Sequence, residues 1–494
     1  MWLIINTPVK QTNPEMRSLF FIISLLSVTI CAFSQEKSSE TFLVDSSLAH
    51  ASVSLCVADA ETGALIIDYN SGISLAPASI MKLITSAAAL ELLGPDYTFK
   101  TRIGYTGTIT KRFGRLKGNI IITGGGDPAL GSKYFPDQYK DFLFKWVDEL
   151  KKLGIKRIRG KVITDDSYYD YLPVPSKWLW EDTGNYYGAG AYGLSVFDNT
   201  YEIHFKTQSD SSLPSIKTVI PEECRSELSN FLQASGITDE GNVFASPYSI
   251  KGWLAGSIPV NQDDFVLKAS VSDPPLLLAR MTTEKIKSEG LKITGMPSTL
   301  RAEQTYKTEK ITPIAEINSP PLSEIIKVLN HESVNLFAEH LIKELGKKLR
   351  HDGSTASGAK VILEFLRNSG IDTNGMFIED GSGLSPVNAI NTKELVRLLV
   401  YMKNKGKYFN EFYSSLPEAG KEGTLKDTFK DPVFDSRLKA KSGSMTRVRS
   451  FAGYFTTKSG KKMVFSIIIN NYSGPSSKIV SEIEENIREL ISNN

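Results

Sequence analysis

The sequence predicts an α/β (α+β) fold in which one domain is interrupted by a large, mostly β insertion. Two strand patterns and an apolar helix occur within residues 51–93, and helix and strand patterns return after Pro321. Residues 97–310 instead carry short strand-like runs separated by Gly, Pro, Asn and Asp clusters. A length of 494 residues also exceeds what one hydrophobic core usually organises. We therefore divide the chain into four segments, residues 1–34, 35–96, 97–312 and 313–494, of which the second and fourth form the interrupted domain.

The first segment, residues 1–34, has the pattern of a secretory signal peptide. Residues 19–32 are apolar, Arg17 precedes them, and Ala32-Phe33-Ser34 has the small-x-small pattern of a cleavage site. Met16 is an alternative start to Met1. A membrane anchor is the competing interpretation, although the run is short for a spanning helix. We expect an exported protein, periplasmic or otherwise extracytoplasmic, that is free or loosely associated with the membrane.

The second segment begins with a strand pair and continues into a helix. Strand patterns at residues 51–58 and 64–69 flank a turn at residues 61–63. Pro77 and Gly94-Pro95 are start and stop signals for a helix that includes residues 83–93. Because this helix is apolar almost all round, we expect it in the middle of a domain.

The insertion is predicted from strand patterns, and the last segment from helices and three strands. In the insertion the clearest strand patterns lie at residues 118–123, 161–164, 201–206 and 264–270. In the last segment, helix patterns lie at residues 322–329, 334–345, 357–369 and 392–403. Strand patterns follow at residues 438–444, 451–456 and 462–470, with an amphipathic helix at 477–491.

Charge and composition exclude several classes of function. Lys and Arg number 57 against 55 Asp and Glu, a formal net charge of +2, so we expect no nucleic acid partner. The five His residues, at positions 50, 204, 331, 340 and 351, form no cluster with metal-ligand spacing, so we expect no metal site and no cofactor. Cys56 lies in an apolar strand pattern, and we expect it in the core rather than in a disulfide.

Ser79 and Lys82 form a pair that is suited to nucleophilic catalysis. Residues at i and i+3 share one helix face, so the amine of Lys82 can reach the hydroxyl of Ser79. A serine nucleophile needs a base, and Ser–Lys is one variant of that arrangement. The same spacing also occurs at Ser34/Lys37, Ser357/Lys360, Ser436/Lys439 and Ser459/Lys462. Only Ser79 opens a long apolar helix after a strand pair; otherwise it would be a helix-cap serine beside an exposed lysine.

Two further short motifs complete a known signature. Ser333-Val334-Asn335 stands at the head of a helix pattern, and Lys441-Ser442-Gly443 stands on a late strand pattern. Together with Ser-x-x-Lys, motifs of these types in this order mark β-lactamases and penicillin-binding proteins. A second Lys-Ser-Gly, at residues 458–460, falls where a hairpin turn is expected and is interpreted as solvent-facing.

On these motifs the sequence resembles the class C low-molecular-mass penicillin-binding proteins, the D-alanyl-D-alanine carboxypeptidase/endopeptidase family. Further segments match its landmarks in order: Gly124-Gly125-Gly126-Asp127-Pro128, Tyr186-Tyr187-Gly188-Ala189, Ser319-Pro320-Pro321-Leu322, Asp380-Gly381-Ser382-Gly383-Leu384-Ser385, and residues 416–425. The resemblance covers essentially the whole mature chain. It implies a serine β-lactamase/transpeptidase-like domain whose antiparallel sheet is flanked by helices. It also implies peptidoglycan peptides ending in D-Ala-D-Ala as substrates and β-lactam antibiotics as covalent inhibitors.

The resemblance also implies a role for each motif residue. Ser79 would be the nucleophile and Lys82 its base, with a pKa lowered by burial and by the charge of Lys441. Ser333 would relay a proton to the leaving amine, and Asn335 would hold Lys82 and the substrate amide. The terminal carboxylate would be bound by the residues of the third motif: Lys441, Ser442, Gly443 and Ser444. The backbone N–H groups of Ser79 and Ser444 would form the oxyanion hole.

The motifs depart from the family pattern at three places. Lys-Ser-Gly-Ser replaces the usual Lys-Thr-Gly-Thr, and the hydroxyls are retained. Val334 stands where Asp is frequent, and Pro386 replaces a commonly basic residue without an evident consequence. The Gly124–Gly126 segment lacks the Lys-Ser/Thr of a phosphate loop and is expected to be a turn, whereas residues 186–189 either pack in the core or face peptidoglycan.

Two alternative functions remain open from the sequence. A β-lactamase or esterase would share the acylating residues but would deacylate rapidly. A non-catalytic wall-binding protein would keep the fold without the chemistry, although a retired site would be free to lose these residues. The balance between carboxypeptidase and endopeptidase activity, the preferred stem-peptide residue and the oligomeric state also stay open.

Overall fold

The computed structural model describes residues 46–224, 227–303 and 310–493. The predicted signal peptide, residues 1–34, lies outside them. Across the described residues, no helix is both long enough and apolar enough to cross a membrane.

The opening elements match the predicted strand pair and helix. They are strands β1 (Ser52–Asp59) and β2 (Leu65–Tyr69) and helix α1 (Met81–Leu93). One 3-10 turn, Ala78–Ile80, leads directly into α1. Ten of its residues, Met81 to Leu90, are buried, so the prediction of a central helix is confirmed.

The inserted segment is mostly β, as predicted, and also contains two helices. Its strands are β3 (Lys100–Tyr105), β4 (Thr108–Thr110), β5 (Arg115–Lys117), β6 (Ile120–Thr123), β7 (Arg157–Arg159), β8 (Val162–Asp165), β9 (Thr200–Lys206), β10 (Ser215–Ile220), β11 (Glu227–Ala234), β12 (Asn242–Ala245), β13 (Lys251–Ile258), β14 (Phe265–Ser270), β15 (Lys292–Ile293), β16 (Ser298–Thr299) and β17 (Thr312–Asn318). Its helices are α2 (Phe142–Lys152) and α3 (Pro274–Ser288). The second had a sequence signal, because Asp273 caps it before two prolines and accepts a hydrogen bond from the Leu276 N–H.

The remaining helices and strands follow the predicted order. The helices are α4 (Leu322–His331), α5 (Asn335–Arg350), α6 (Thr355–Asn368), α7 (Thr392–Lys405), α8 (Phe409–Ser414) and α9 (Ser476–Asn493). The strands are β18 (Leu438–Met445), β19 (Val448–Thr456) and β20 (Lys462–Asn470). Residues 458–460 lie in the turn between β19 and β20, as expected for the second Lys-Ser-Gly.

The central sheet joins the two ends of the chain. Its five antiparallel strands have the order β18-β19-β20-β1-β2. Alternate residues of β1 enter different cores, since Cys56 and Ala58 pack on one face and Leu55 and Val57 on the other. The first face packs against α1 and α7, and the second against α9. Helices therefore cover both faces, which explains why these strands are apolar almost throughout.

One five-stranded sheet, one four-stranded sheet and two three-stranded sheets make up the described part of the insertion. One sheet, with the order β16-β8-β6-β3-β17, begins and ends the inserted segment, because Lys100–Tyr105 pairs antiparallel with Thr312–Asn318. Strand β17 begins at Thr312, so the end that we predicted for the insertion, after residue 312, falls inside this strand. The boundaries 35–96, 97–312 and 313–494 stay a prediction.

Helix α5 fastens the insertion to the interrupted domain through buried polar contacts. The carboxylate of Glu344 accepts hydrogen bonds from the hydroxyls of Tyr97, Tyr168 and Tyr169. One turn earlier, the His340 ring contacts the carbonyl oxygen of Gly126 through Nδ1 at 2.9 Å. The position of α5, and of the residues at its N-terminal end, therefore depends on both parts of the chain.

Replacing Glu344 tests this attachment. Glu344→Ala would leave buried tyrosine hydroxyls without their acceptor, so we expect the free energy of unfolding, measured in urea, to fall by about 2–4 kcal/mol. Glu344→Gln keeps an acceptor oxygen and should lose less. Equal losses in the two variants would contradict the importance of these hydrogen bonds.

Candidate active site

The turn that carries Ser79 is held in an unusual backbone conformation. Ala78, directly before it, has a φ of 49°, in the left-handed region that a non-glycine residue seldom adopts. Ser333 also has a positive φ, of 57°. Strained backbone of this kind concentrates at functional sites, where surrounding contacts hold it in place.

Three distant segments converge on the amine of Lys82. Its Nζ lies 2.9 Å from Ser79 Oγ, 2.6 Å from Asn335 Oδ1 and 2.9 Å from the carbonyl oxygen of Ser382. The side chain is fully buried, with 0% of its surface exposed. Ser79, Lys82 and Asn335 are thus brought together as the sequence led us to expect.

The amide of Asn335 is oriented by the insertion. Its Nδ2 donates to the carbonyl oxygen of Tyr187 at 2.9 Å, which turns Oδ1 toward Lys82. An uncharged amine has two N–H groups and one lone pair. Since Asn335 Oδ1 and the Ser382 carbonyl can only accept, they take both N–H groups, and the lone pair is left for the hydroxyl of Ser79. The geometry therefore suits Lys82 as a proton acceptor.

The protonation of Lys82 agrees with that geometry. Burial lowers its pKa to about 7, even though the nearby carboxylates of Asp380 and Glu339 raise it. The charge effect between Lys82 and Lys441 falls on Lys441 instead of on Lys82: burial, and then the charge of Lys82, lower the pKa of Lys441 well below its ordinary range.

The third motif lies on β18, beside the Ser79 turn. Lys441 is buried, and its Nζ donates to Ser333 Oγ at 3.0 Å. Ser442 Oγ donates to Thr424 Oγ1 at 2.8 Å, which connects the strand to the 416–425 landmark. Ser444 is exposed and lines the cleft in front of Ser79. Of the motif residues, Ser79, Ser333, Asn335 and Ser444 line this cleft, while Lys82 and Lys441 are buried behind it in contact with Ser79 and Ser333.

Glycine is required where β18 and the 380–385 loop approach the Ser79 turn. A Cβ on Gly443 would lie 2.9 Å from the Ser79 nitrogen and 2.8 Å from the Pro77 oxygen. Gly383 has a φ of 86°, and its Cβ would lie 1.9 Å from the Ala78 oxygen. Any side chain at either position would displace the nucleophile.

Glu339, which was missed in the sequence, and Asp380, which the sequence offered only within a landmark segment, build the loop that supplies the Ser382 carbonyl. Glu339 Oε1 accepts the N–H groups of Gly381 at 3.1 Å and Ser382 at 2.9 Å. Asp380 accepts the N–H groups of Gly383 and Ser385 and, from the insertion, the Trp178 indole N–H at 2.8 Å. Burial and the charge of Asp380 raise the pKa of Glu339. The only sequence signal for Glu339 was its position as an acidic residue one helical turn after Asn335.

A cleft of about 700 Å³ opens in front of Ser79. Its walls come from the insertion, through Leu179, Glu181 and Tyr186, and from the interrupted domain, through Pro386 and Ser444. Tyr186 is exposed in this wall, whereas Gly188 is buried and Tyr187 holds Asn335. Gly188 and Ala189 therefore pack in the core, whereas Tyr186 faces the cleft. Gly124–Gly126 follow the last residue of β6, outside any helix or strand.

Comparison with known proteins assigns the chain to one family. The D-Ala-D-Ala carboxypeptidase 3 (S13) family model matches residues 35–493. The D-alanyl-D-alanine carboxypeptidase of Actinomadura sp. (strain R39) is 28% identical over 456 residues, which cover 90% of this chain and 82% of that protein. The D-alanyl-D-alanine carboxypeptidase DacB of Haemophilus influenzae is 25% identical over 424 residues, covering 83% of each chain.

A solved structure confirms the predicted fold class. Penicillin binding protein 4 (dacB) from Haemophilus influenzae superposes with a TM-score of 0.76 at 22% identity, covering 89% of this chain and 95% of that one. The same protein has also been solved in complex with a β-lactam, with a TM-score of 0.73 at 22% identity and coverage of 90% and 97%.

Replacing Glu339 tests whether the loop that supplies the Ser382 carbonyl matters for acylation. In Glu339→Leu two buried N–H groups lose their acceptor and the Ser382 carbonyl loses its fixed position. We expect acylation of Ser79 by penicillin to slow by about 10- to 100-fold. The second-order rate constant of labelling measures this, with circular dichroism as a check on folding. An unchanged rate in a folded variant would contradict the role of the loop.

Proposed function

The chain belongs to the D-Ala-D-Ala carboxypeptidase 3 (S13) family and is therefore a serine-type D-Ala-D-Ala carboxypeptidase, and we propose that Ser79 is its nucleophile and Lys82 its general base. The single observation that carries this assignment is the amine of Lys82, buried and 2.9 Å from Ser79 Oγ, with both of its N–H groups directed to pure acceptors. In the proposed reaction Ser79 Oγ attacks the carbonyl carbon between two D-alanine residues while its proton passes to Lys82.

Collapse of the tetrahedral intermediate releases the terminal D-alanine. The backbone N–H groups of Ser79 and Ser444 are proposed to hold the oxyanion, and loss of one such donor typically costs about 3 kcal/mol. As the C–N bond breaks, the proton that Lys82 took from Ser79 is relayed to the leaving nitrogen through Ser333, whose hydroxyl lies 3.0 Å from Lys441 Nζ, and Lys82 becomes uncharged again. Water, deprotonated by Lys82, then hydrolyses the ester on Ser79.

Lys441 and the hydroxyls on β18 are proposed to select the substrate terminus. A free carboxylate that enters beside Lys441 stabilises the ammonium form, which burial alone disfavours. Ser442 and Ser444 supply hydroxyl donors on the same strand, and Gly443 lets that strand pass close to Ser79. This arrangement favours peptides that end in D-Ala-D-Ala. Cleavage of cross-links, the endopeptidase activity, is proposed for the same cleft, whose volume is about 700 Å³.

The place of action is proposed to lie outside the cytoplasm. The apolar run with its cleavage pattern in residues 1–34 supports export, and peptidoglycan lies in that compartment. β-Lactams resemble the acyl-D-Ala-D-Ala group, so we propose that they acylate Ser79 and leave it slowly. Slow deacylation also distinguishes the proposal from a β-lactamase, which would turn over a chromogenic cephalosporin rapidly.

Removal of the nucleophile is the first test. Ser79→Ala should release no D-alanine from a muramyl pentapeptide and should take up no fluorescent penicillin, because Ser79 supplies the hydroxyl that contacts Lys82 Nζ. Electrophoresis of the labelled protein and mass spectrometry of the peptide measure the two outcomes. Covalent labelling of Ser79→Ala at the wild-type rate would end the assignment.

The pH dependence of acylation is the second test. Lys82 must be uncharged to accept a proton, and its folded-state pKa is about 7. We therefore expect the rate constant for penicillin acylation to be constant above about pH 8 and to fall about tenfold per unit below pH 7. A flat profile between these values would contradict a titrating base.

The pH profile of Asn335→Asp tests whether Lys82 is the group that titrates. A carboxylate placed 2.6 Å from Lys82 Nζ would stabilise the ammonium form. The pH below which the acylation rate constant falls should then rise by about 1–3 units. A profile that stays in place would show that Lys82 is not the titrating group.

A further inference from the structure

An unpartnered aromatic face lies on the insertion beside the cleft. Strands β11, β13 and β12 form a three-stranded sheet in that order. Side chains alternate across it, and one face is packed, with Leu232, Val243, Leu254 and Ile258 buried. The opposite face presents Phe231, Phe244 and Trp253. We call these three residues, together with Trp180, the aromatic face.

Three rings of the aromatic face contact one another, and Phe231, Trp180 and Trp253 remain accessible. Phe244 and Trp253 are cross-strand partners whose ring centroids are 5.2 Å apart with an interplanar angle of 11°. Trp180 lies 6.1 Å from Trp253. The exposed fractions are 65% for Phe231, 54% for Trp180 and 38% for Trp253. An apolar cluster that is exposed to this extent marks a binding surface more often than it marks an accident of packing.

The aromatic face is continuous with the catalytic cleft by two routes. Trp180 stands between Leu179 and Glu181, which both line the cleft. Asn242 lies two residues before Phe244 on the same face of β12, and it lines a second groove of about 870 Å³. That groove shares Tyr186, Tyr187 and Glu332 with the cleft. A ligand attached to a peptide in the cleft would therefore reach this face.

The charge of the surface favours a neutral ligand. The second groove mixes two cations, Lys133 and Lys268, with three acids, Asp239, Glu240 and Glu332. On the sheet itself, the rings share their face with uncharged Ser229, Gln233, Ala255 and Ser257, and with Glu227 and Lys251, whose opposite charges form an ion pair at 3.9 Å. Neither nucleic acid nor an anionic membrane surface would be attracted to such a mixture.

We propose that the aromatic face and the second groove bind the glycan strand of peptidoglycan. This inference rests on the proposed function, because the stem peptide that enters the cleft is attached to a neutral amino-sugar polymer. The exposed rings would pack on the C–H faces of the sugar rings, as aromatic side chains supply large apolar contacts. Asn242, Ser229 and Gln233 would exchange hydrogen bonds with hydroxyl and acetamido groups. The insertion thereby adds a glycan subsite to a peptide-cleaving cleft.

Binding to peptide-free glycan tests the proposal without any catalysis. Oligosaccharides of β-1,4-linked N-acetylglucosamine, which are peptide-free and uncharged, would be titrated calorimetrically into the Ser79→Ala protein as the glycan probe. We expect binding, and we expect Phe231→Ala/Trp253→Ala in the same background to weaken it by at least about tenfold. Trp253→Phe keeps a ring and should retain most of the affinity. Phe113→Ala, at a residue that is 61% exposed in the 3-10 turn between β4 and β5, is the matched control and should change nothing.

The hydrolysis of two substrates separates this inference from the proposed function. The Phe231→Ala/Trp253→Ala variant with Ser79 intact should cleave a soluble pentapeptide at the wild-type rate and intact sacculi at least about tenfold more slowly. A wild-type protein inactive on the pentapeptide would defeat the proposed function, while the calorimetric result would stand independently. Equal glycan binding by the folded double variant, or no binding by the Ser79→Ala protein, would overturn the glycan subsite and leave the face for another partner.

Discussion

The architecture depends on keeping one buried amine uncharged and pointed in one direction. Lys82 is fully buried, and its lone pair faces Ser79 because two acceptors from distant segments take its N–H groups. Burial disfavours the ammonium form, whereas the nearby acids favour it. The balance leaves the pKa near neutrality, which is where a general base transfers protons most effectively. The packing around α1 therefore sets the chemistry as well as the stability.

Residues along helix α5 connect Lys82 to the rest of the fold. Asn335 at its start holds Lys82, and Glu339 one turn later holds the loop that supplies the Ser382 carbonyl. His340 and Glu344 then contact the insertion. The insertion in turn orients Asn335 through the Tyr187 carbonyl and braces Asp380 through Trp178. The inserted segment is thus part of the active site and not only an appendage to it.

The sequence predicted the parts of the site that side-chain motifs encode. Ser79, Lys82 and Lys441 could be found because each motif stood on a recognisable helix or strand. The Tyr187 and Ser382 carbonyls could not, because every residue has a backbone oxygen and only the fold selects two of them. Glu339 was missed because an acid on an amphipathic helix normally faces solvent, and the direction of the charge effect between Lys82 and Lys441 depended on burial that the sequence does not show. Helices α2 and α3 were missed within a region whose Gly and Pro content favoured strands.

Direct titration of Lys82 tests the central claim. Protein labelled with ¹³C at lysine Cε would be followed by NMR against pH, and the signal absent from Lys82→Met would assign the residue. The account predicts a midpoint near pH 7 for that signal. A midpoint near the ordinary lysine value of about 10.4 would contradict it, because the amine would then be charged whenever Ser79 reacts.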